Sequence, residues 1–353
     1  DVAPSRGLGD VYKRQILQDA MNVLIICLNN CLVTCKLRWY NRNNVSLRKG
    51  EVMEITEQIK QLKQEKNAVI LAHYYVPAEV QEIADYIGDS FYLSKIAVGL
   101  KEQMIIFCGV SFMGESAKIL NPDKTVLMPD LSADCAMAHM ADKETIQKMR
   151  DTYDDLAVVC YINSTAELKQ YSDVCVTSAN AVKIVKALPQ KYIFFIPDRN
   201  LAHYVAQQVP EKTFVYNEGY CPVHERLLTE ELKKAKAAHP KAEVLVHPEC
   251  TQEICEMADY IGSTSGIIKY AGESVAREFI ICTENGVRYE LEKQNPEKVF
   301  YFTETEPVCE DMKRVTLEKI LHVLQTGENE VHVTDELREH SEKPLARMLE
   351  LAK

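Results

Sequence analysis

The sequence predicts an α/β fold made of three pseudo-symmetric, small parallel-sheet domains around a central cavity. The first observation is a threefold repeat: Asp85, Asp173 and Asp259 follow similar apolar segments and are 88 and 86 residues apart. The second is a Pro-acidic-Lys motif that recurs at the same two spacings, at residues 121–124, 209–212 and 295–298. Agreement of two markers indicates one supersecondary unit used three times.

Each unit alternates short apolar runs with helical patterns, which predicts parallel strands joined by right-handed crossovers. Continuous apolar runs are typical of strands that are buried on both faces of a sheet. In chain order, the predicted strands are residues 69–72, 104–108, 125–128, 158–161, 192–196, 213–216, 244–246, 279–282 and 299–302. Helices are predicted at residues 54–65, 79–87, 111–120, 316–325 and 334–352.

These elements divide the chain into repeats at residues 53–142, 143–229 and 230–315, followed by closing helices at 316–353. The leader, residues 1–52, differs in charge, with 8 Lys+Arg against 4 Asp+Glu. Residues 5–15 have no amphipathic period, and we expect the leader to be non-native or unstructured, with the native start at Met53. Its cysteines, Cys27, Cys31 and Cys35, have the spacing C-x3-C-x3-C, which differs by one residue from the C-x3-C-x2-C motif of radical SAM enzymes. We interpret them as chance cysteines.

Composition excludes several classes of protein. The formal net charge is −11, so no basic field would attract nucleic acid or an anionic membrane. The longest apolar stretch, residues 21–35, is interrupted by two asparagines and is too short to span a bilayer. Twelve cysteines without a secretory signal predict a reducing cytoplasm.

Nine polar residues occupy three equivalent positions, each just past a predicted strand. They lie twelve residues before, ten before and five after the repeat aspartates: His73, Tyr161 and His247; Tyr75, Asn163 and Glu249; Ser90, Ser178 and Thr264. Ligands of open parallel sheets bind beyond the carboxyl ends of the strands. We therefore expect the nine to converge on one cavity, where hydroxyls and helix-start N–H groups suit carboxylates or phosphate.

Cysteines also repeat in register. Cys135, Cys221 and Cys309 follow the repeat aspartates by 50, 48 and 50 residues, each in a loop after the last strand of its unit. One thiolate from each repeat predicts a shared metal centre, and three cysteines without a fourth suit an iron–sulfur cluster with one open iron. Such an iron is a Lewis acid. Cys250 and Cys255 are open to two interpretations, core packing or a redox-active pair.

Eight motifs give the chain a specific resemblance from Met53 to about Lys353. They span residues 70–75, 84–90, 109–122, 161–167, 177–181, 197–202, 247–250 and 262–265. With these motifs the chain resembles quinolinate synthases, the iron–sulfur enzymes of bacterial NAD biosynthesis. The resemblance implies condensation of iminoaspartate with dihydroxyacetone phosphate to quinolinate, phosphate and water. It also implies a [4Fe–4S] cluster on Cys135, Cys221 and Cys309, and L-aspartate oxidase as a functional partner.

The resemblance also implies roles for individual residues. Substrate contacts fall on His73, Ser90, Tyr161, Asn163, Ser178, His224, His247, Glu249 and Thr264. Glu249 is the predicted general base, with Tyr75 and His247 transferring protons at the triose oxygens. Ser90, Ser178 and Thr264 would hold carboxylate or phosphate oxygens, while Tyr161 and Asn163 would orient iminoaspartate.

Two other hypotheses remain alongside this one. An aconitase-like hydro-lyase would share the open iron but act on another dicarboxylate. A tandem α/β module that binds a small anion would use the cysteines structurally or for zinc. A nicotinamide dehydrogenase is disfavoured, because no G-x-G-x-x-G motif follows any predicted first strand.

Overall fold

The structure, a computed structural model, describes residues 54–353. Predictions about the leader, including Cys27, Cys31, Cys35 and a start at Met53, lie outside the described residues. Residues 58–353 form one compact unit that contains all the strands described below.

Three four-stranded sheets, in which every strand pairing is parallel, confirm the predicted fold class. Their strand orders are equivalent: β2-β1-β3-β4, β6-β5-β7-β8 and β10-β9-β11-β12. The strands are β1 Ala68–His73, β2 Tyr86–Gly88, β3 Met104–Cys108, β4 Thr125–Leu127, β5 Leu156–Tyr161, β6 Val174–Val176, β7 Tyr192–Ile196, β8 Thr213–Tyr216, β9 Glu243–Val246, β10 Tyr260–Ile261, β11 Glu278–Cys282 and β12 Val299–Tyr301. Each sheet lies within one predicted repeat, although the domain boundaries themselves stay a prediction.

Helices connect the strands and close the chain. They are α1 54–65, α2 Ala78–Ile83, α3 Ser90–Gly99, α4 Ser111–Leu120, α5 Lys143–Thr152, α6 Ala166–Lys169, α7 Ala181–Ala187, α8 Arg199–Gln208, α9 Pro222–Glu225, α10 Thr229–Ala238, α11 Gln252–Cys255, α12 Thr264–Glu273, α13 Arg288–Gln294, α14 Glu310–Lys313, α15 Leu317–Thr326 and α16 Asp335–Leu351. Short 3-10 helices occupy Ala136–His139 and Asn285–Val287.

The helix predicted at residues 79–87 is wrong in its second half. Helix α2 ends at Ile83, Ala84 is extended, and Tyr86–Gly88 forms the edge strand β2. Residues 86–88 pair with β1 instead of continuing the helix that their apolar pattern predicts. The strand pairing satisfies the backbone N–H and C=O groups that a longer helix would otherwise satisfy. The equivalent edge strands β6 and β10, of three and two residues, were also not predicted.

The repeat aspartates have a structural role in each sheet. Each carboxylate accepts a hydrogen bond from a backbone N–H of the first strand in its own unit. The distances are 2.8 Å for Asp85 to Ile70, 2.7 Å for Asp173 to Val158 and 2.8 Å for Asp259 to Val244. This bond joins the start of the edge strand to the centre of the sheet, which explains why the marker recurs.

The repeat lysines cap helices. The ammonium groups of Lys124, Lys212 and Lys298 donate to backbone carbonyls at or just beyond the carboxyl ends of α3, α7 and α12, respectively. These carbonyls have no intrahelical partner and carry partial negative charge, so a cation there satisfies and stabilises them. Both sequence markers of the repeat therefore serve the fold.

Helix α16 attaches the carboxyl-terminal segment to the second repeat. The buried Ser341 hydroxyl donates to the Ala166 carbonyl (2.8 Å), and Arg347 donates to the Asp173 carbonyl (3.1 Å). The two predicted closing helices correspond to α15 and α16. Among the described residues, no helix combines the length and apolar character that a membrane crossing requires.

Candidate active site

A cavity of about 190 Å³ is lined by all nine polar residues that the repeat places in register. His73 and Tyr161 are the last residues of β1 and β5, and His247 directly follows β9. Ser90 and Thr264 are the first residues of α3 and α12. The pseudo-symmetry of the three units thus brings equivalent strand ends and helix starts to one space.

Two equivalent histidines are held in the same tautomer. Nδ1 of His73 accepts the Tyr75 N–H (3.2 Å), and Nδ1 of His247 accepts the Glu249 N–H (3.3 Å). Burial lowers the pKa of both imidazoles to about 3, so both are neutral near pH 7. Because Nδ1 is an acceptor in each ring, the proton lies on Nε2. In His247 this nitrogen lies 3.2 Å from the Ser178 hydroxyl.

Glu249 is a buried anion between two hydrogen-bond donors. The Tyr161 hydroxyl donates to one oxygen, and Nδ1 of His224 lies 2.8 Å from the other. Burial alone would raise the pKa of this carboxyl, but the imidazoles of His247 and His224 and these hydrogen bonds hold it below its ordinary value. Glu249 is therefore ionised at neutral pH and can accept a proton.

A hydrogen-bonded chain connects Glu249 to Tyr75. Nε2 of His224 lies 3.0 Å from the hydroxyl of Thr283, which lies 2.8 Å from the Tyr75 hydroxyl. Tyr75 also contacts the hydroxyl of Thr264 at 2.7 Å. Burial raises the pKa of Tyr75 well above its usual value, so its hydroxyl remains a proton donor. His224 itself lies behind Glu249 rather than on the cavity wall.

Thr283 is a site residue that the sequence analysis missed. It is fully buried, and its hydroxyl bridges His224 and Tyr75. The corresponding residues of the other repeats are Gly109 and Pro197, so the register argument had no polar trio to detect. Only the contacts between repeats identify it.

The three cysteines of the repeat are free thiols, and each precedes a short helical turn. Cys135 and Cys309 line the cavity, while Cys221 lies beside His224, with Sγ 3.2 Å from Nδ1. Burial raises the pKa of all three thiols, that of Cys309 to about 11. Without a metal the thiols are therefore neutral, and metal binding would release their protons.

Arg226 is a second residue that the sequence analysis missed. It follows α9 and is exposed at the cavity. Among the described residues that line the cavity, it is the single Lys or Arg, alongside acidic groups that include Asp89 and Asp134. One cation beside several carboxylates is a candidate contact for an anionic substrate group.

The family model described as "Quinolinate synthetase A protein" matches residues 57–350. The chain belongs to the quinolinate synthase family. It is 52% identical over 299 residues to "Quinolinate synthase" of Clostridioides difficile, which covers 85% of this chain and 98% of that protein. Relatives of the same name from Fusobacterium nucleatum and Caldicellulosiruptor saccharolyticus are 55% identical over 296 residues and 47% identical over 302. These two matches cover 84% and 86% of this chain and 99% and 100% of the relatives. The resemblance inferred from the motifs is confirmed.

Within this family assignment, the donor set fits an iron–sulfur cluster. Three thiols, one from each repeat, occupy equivalent loops, and among the described residues Cys135 and Cys309 are the cysteines that line the cavity. A second arrangement of donors also exists: atoms of Cys221, His224 and Glu249 lie within 4.8 Å of one another. Sulfur, nitrogen and oxygen ligands at this spacing would suit zinc. Metal analysis therefore has to distinguish an iron–sulfur cluster on the three thiols from a zinc ion at this grouping.

Cys250 and Cys255, for which the sequence allowed either core packing or a redox-active pair, are packed thiols in the structure. Cys250 is buried within the core cluster of the third sheet, and its Sγ lies 3.4 Å from the Cys282 carbonyl. Cys255 ends α11 and packs against the same cluster. Their surroundings correspond to the packing interpretation.

The buried neutral histidines predict that the apo-protein loses stability on mild acidification. Below about pH 6.5 the unfolded chain protonates His73 and His247, whereas the folded chain does so only near pH 3. The unfolded state then binds more protons, so the free energy of unfolding falls as pH decreases from 6.5 towards 3. Urea unfolding at pH 7.5, 6.5, 5.5 and 5.0 measures this decline.

We expect His73→Gln to reduce the decline, because it removes one of the two buried imidazoles. Unfolding midpoints of the unsubstituted protein that stay constant between pH 7.5 and 5.0 would contradict the prediction.

Proposed function

We propose that the chain is a quinolinate synthase that condenses iminoaspartate with dihydroxyacetone phosphate, releasing phosphate and two waters. The observation that carries the proposal is one cavity that three polar residues from each repeat line together with Cys135 and Cys309. The third cysteine of the repeat, Cys221, lies beside His224. The atoms of the two substrates balance those of the products without gain or loss of electrons. The reaction therefore needs proton transfers but no redox partner. A site with proton donors and a buried carboxylate supports such chemistry.

The polar residues would divide the binding of the two substrates. Ser90 and Thr264, at the first positions of ten-residue helices, offer hydroxyls beside free backbone N–H groups, which suit carboxylate or phosphate oxygens. Ser178 presents a hydroxyl next to Nε2 of His247. The side-chain oxygen of Asn163 is buried and has no partner among the described residues, so it is free to accept an N–H from iminoaspartate.

Proton transfers would use the chain from Glu249 to Tyr75. The ionised Glu249 would take a proton from the carbon of iminoaspartate that forms the new bond. Tyr75, whose hydroxyl is protonated and hydrogen-bonded to Thr264 and Thr283, would donate at a triose oxygen. The Nε2–H groups of His73 and His247 are further donors to oxygens that develop negative charge.

Cys135, Cys221 and Cys309 would hold a [4Fe–4S] cluster. When bound, its iron without a cysteine ligand supplies a Lewis acid for carboxylate binding and loss of hydroxide. The substrate pair also implies a supply of iminoaspartate from L-aspartate oxidase and a place in cytoplasmic NAD biosynthesis.

Metal analysis combined with a product assay tests the proposal. We expect about four iron and four acid-labile sulfide per chain after anaerobic purification, as in a [4Fe–4S] cluster, and quinolinate formation from the two substrates. Zinc without iron, together with dicarboxylate binding without turnover, would favour the binding module, as the Cys221, His224 and Glu249 grouping allows. Iron with turnover of a different dicarboxylate would favour the aconitase-like hydro-lyase.

Arg226 is expected to recognise the substrate phosphate. Arg226→Met should raise KM for dihydroxyacetone phosphate about 10- to 100-fold, because a charge-assisted contact contributes about 1.5–3 kcal/mol. The KM for iminoaspartate should change little, and Arg226→Lys should recover part of the loss. Initial rates with each substrate varied in turn measure both constants.

The matched control is Arg314→Met, since Arg314 is exposed and outside the cavity lining. Equal changes in both KM values for the Arg226 variant would show that its effect is not specific to the phosphate.

A further inference from the structure

Glu284, directly after Thr283, is a fully buried carboxylate beside a cysteine of the cavity. Its Oε1 accepts the backbone N–H of Cys309 (3.0 Å) and contacts the Lys313 ammonium (2.9 Å). Its Oε2 accepts the Gly286 N–H (2.7 Å). A carboxylate with these partners fixes the backbone from which the Cys309 thiol extends.

The same cluster of groups holds the loop that carries Tyr75. Lys313 donates to the Tyr75 carbonyl (2.6 Å), and the buried Gln81 donates to the carbonyls on either side of Tyr75 (2.8 and 2.9 Å). Gln81 also donates to the Gly286 carbonyl (3.1 Å). A Cβ on Gly286 would lie 2.7 Å from the Tyr75 Cα, so only glycine permits this close approach of the two backbones.

Comparison with the other repeats shows that the lysine-mediated contact with another repeat is special to the third. The second repeat also places a buried carboxylate, Asp198, against the backbone N–H of its cysteine, Cys221. Asp198 and Val110 occupy the positions that correspond to Glu284, 25 residues after the repeat aspartates. Asp198 caps α8, and in the first repeat the Cys135 N–H is accepted by the neighbouring Asp134 (2.8 Å). Of the three corresponding positions, only Glu284 has an ion-pair partner that also contacts a loop of another repeat.

We propose that Glu284 and Lys313 form a positioning pair that holds the backbones of Cys309 and Tyr75 in one frame. The part of this proposal that concerns a cluster held by Cys309 rests on the proposed function. The frame, which is the set of contacts from Glu284 and Lys313 to the two backbones, does not depend on it. The pair would keep the Tyr75 hydroxyl at a set separation from a group held by Cys309. Since neither side chain lines the cavity, both would act through the residues they hold.

Two double variants separate the two halves of the frame without leaving a lone buried charge. Glu284→Gln with Lys313→Met retains an acceptor oxygen for the Cys309 N–H but removes the donor to Tyr75. Glu284→Leu with Lys313→Met removes both links. Lys313→Arg is the conservative rescue, and Lys118→Met with Glu330→Gln is the control, at a part-buried ion pair outside the cavity lining.

Three measurements follow each variant: hydrogen exchange of the apo-protein, iron release to a chelator under anaerobic conditions, and kcat with KM. For the Gln/Met variant we expect faster exchange at residues 74–76, unchanged iron release and a kcat reduced about 10- to 100-fold at similar KM. For the Leu/Met variant we expect faster exchange also around Cys309, and iron release accelerated about tenfold or more. The rescue and control variants should match the unsubstituted protein.

Unchanged exchange at residues 74–76 in both double variants would overturn the frame, whatever the protein catalyses. Iron release and kcat equal to those of the unsubstituted holoenzyme would overturn its functional role. An unsubstituted protein that holds no iron and forms no quinolinate would instead overturn the proposed function, and with it the statement about the cluster.

Discussion

Serine at any one of Cys135, Cys221 or Cys309 is expected to abolish both the iron–sulfur cluster and quinolinate formation. Each repeat contributes one thiol to the cavity region, so the loss of one leaves two ligands for a cluster that needs three. A serine hydroxyl is a harder and more weakly acidic donor than a thiol, and it would not replace the missing ligand. Visible absorbance, iron and sulfide content, and the product assay measure the loss.

Cys108→Ala is the matched control, because Cys108 is a buried thiol at the end of β3 with a packing environment only. It should retain iron and most of the activity. Full activity in the Cys309→Ser variant would contradict the assignment of the three cysteines as cluster ligands.

Glu249→Gln is expected to reduce kcat by about 10²–10⁴-fold, the range typical for loss of a general base. Glutamine has a similar volume, but it cannot take up a proton. Its amide NH2 would also face a donor, since Tyr161 and His224 occupy the two carboxylate oxygens. Iron and sulfide content should stay near that of the unsubstituted protein, because Glu249 is not a predicted cluster ligand.

Glu253→Gln, at an exposed carboxylate on the neighbouring helix α11, is the control and should leave kcat unchanged. A Glu249→Gln protein with normal kcat would exclude the base role. Loss of the cluster together with activity would indicate that Glu249 acts structurally through its contacts with His224.

The repeat made much of the cavity predictable from sequence. His73, Tyr161 and His247 could be placed at equivalent strand ends because the buried apolar runs before them are unambiguous strand signals. Their shared distance from the repeat aspartates then predicted a common location, and the structure has all three at one cavity. The repeat aspartates themselves accept backbone hydrogen bonds within the sheets and do not line the cavity.

Residues that act between repeats could not be found in this way. Thr283 has no polar counterpart, and the Lys313 to Tyr75 contact joins residues 238 positions apart. The helix predicted over residues 79–87 failed for a related reason, since pairing with β1 decides where α2 ends.

By itself, the sequence determined the three parallel α/β units, the strand ends that carry His73, Tyr161 and His247, and one cysteine per unit. These features follow from local apolar patterns and from a repeat, both of which are readable along the chain. Only the tertiary structure decided the edge strands, the Glu249 to Tyr75 hydrogen-bonded chain and the Glu284–Lys313 pair. These depend on which buried polar groups meet across units, because a buried donor or acceptor must find its partner wherever the fold brings one.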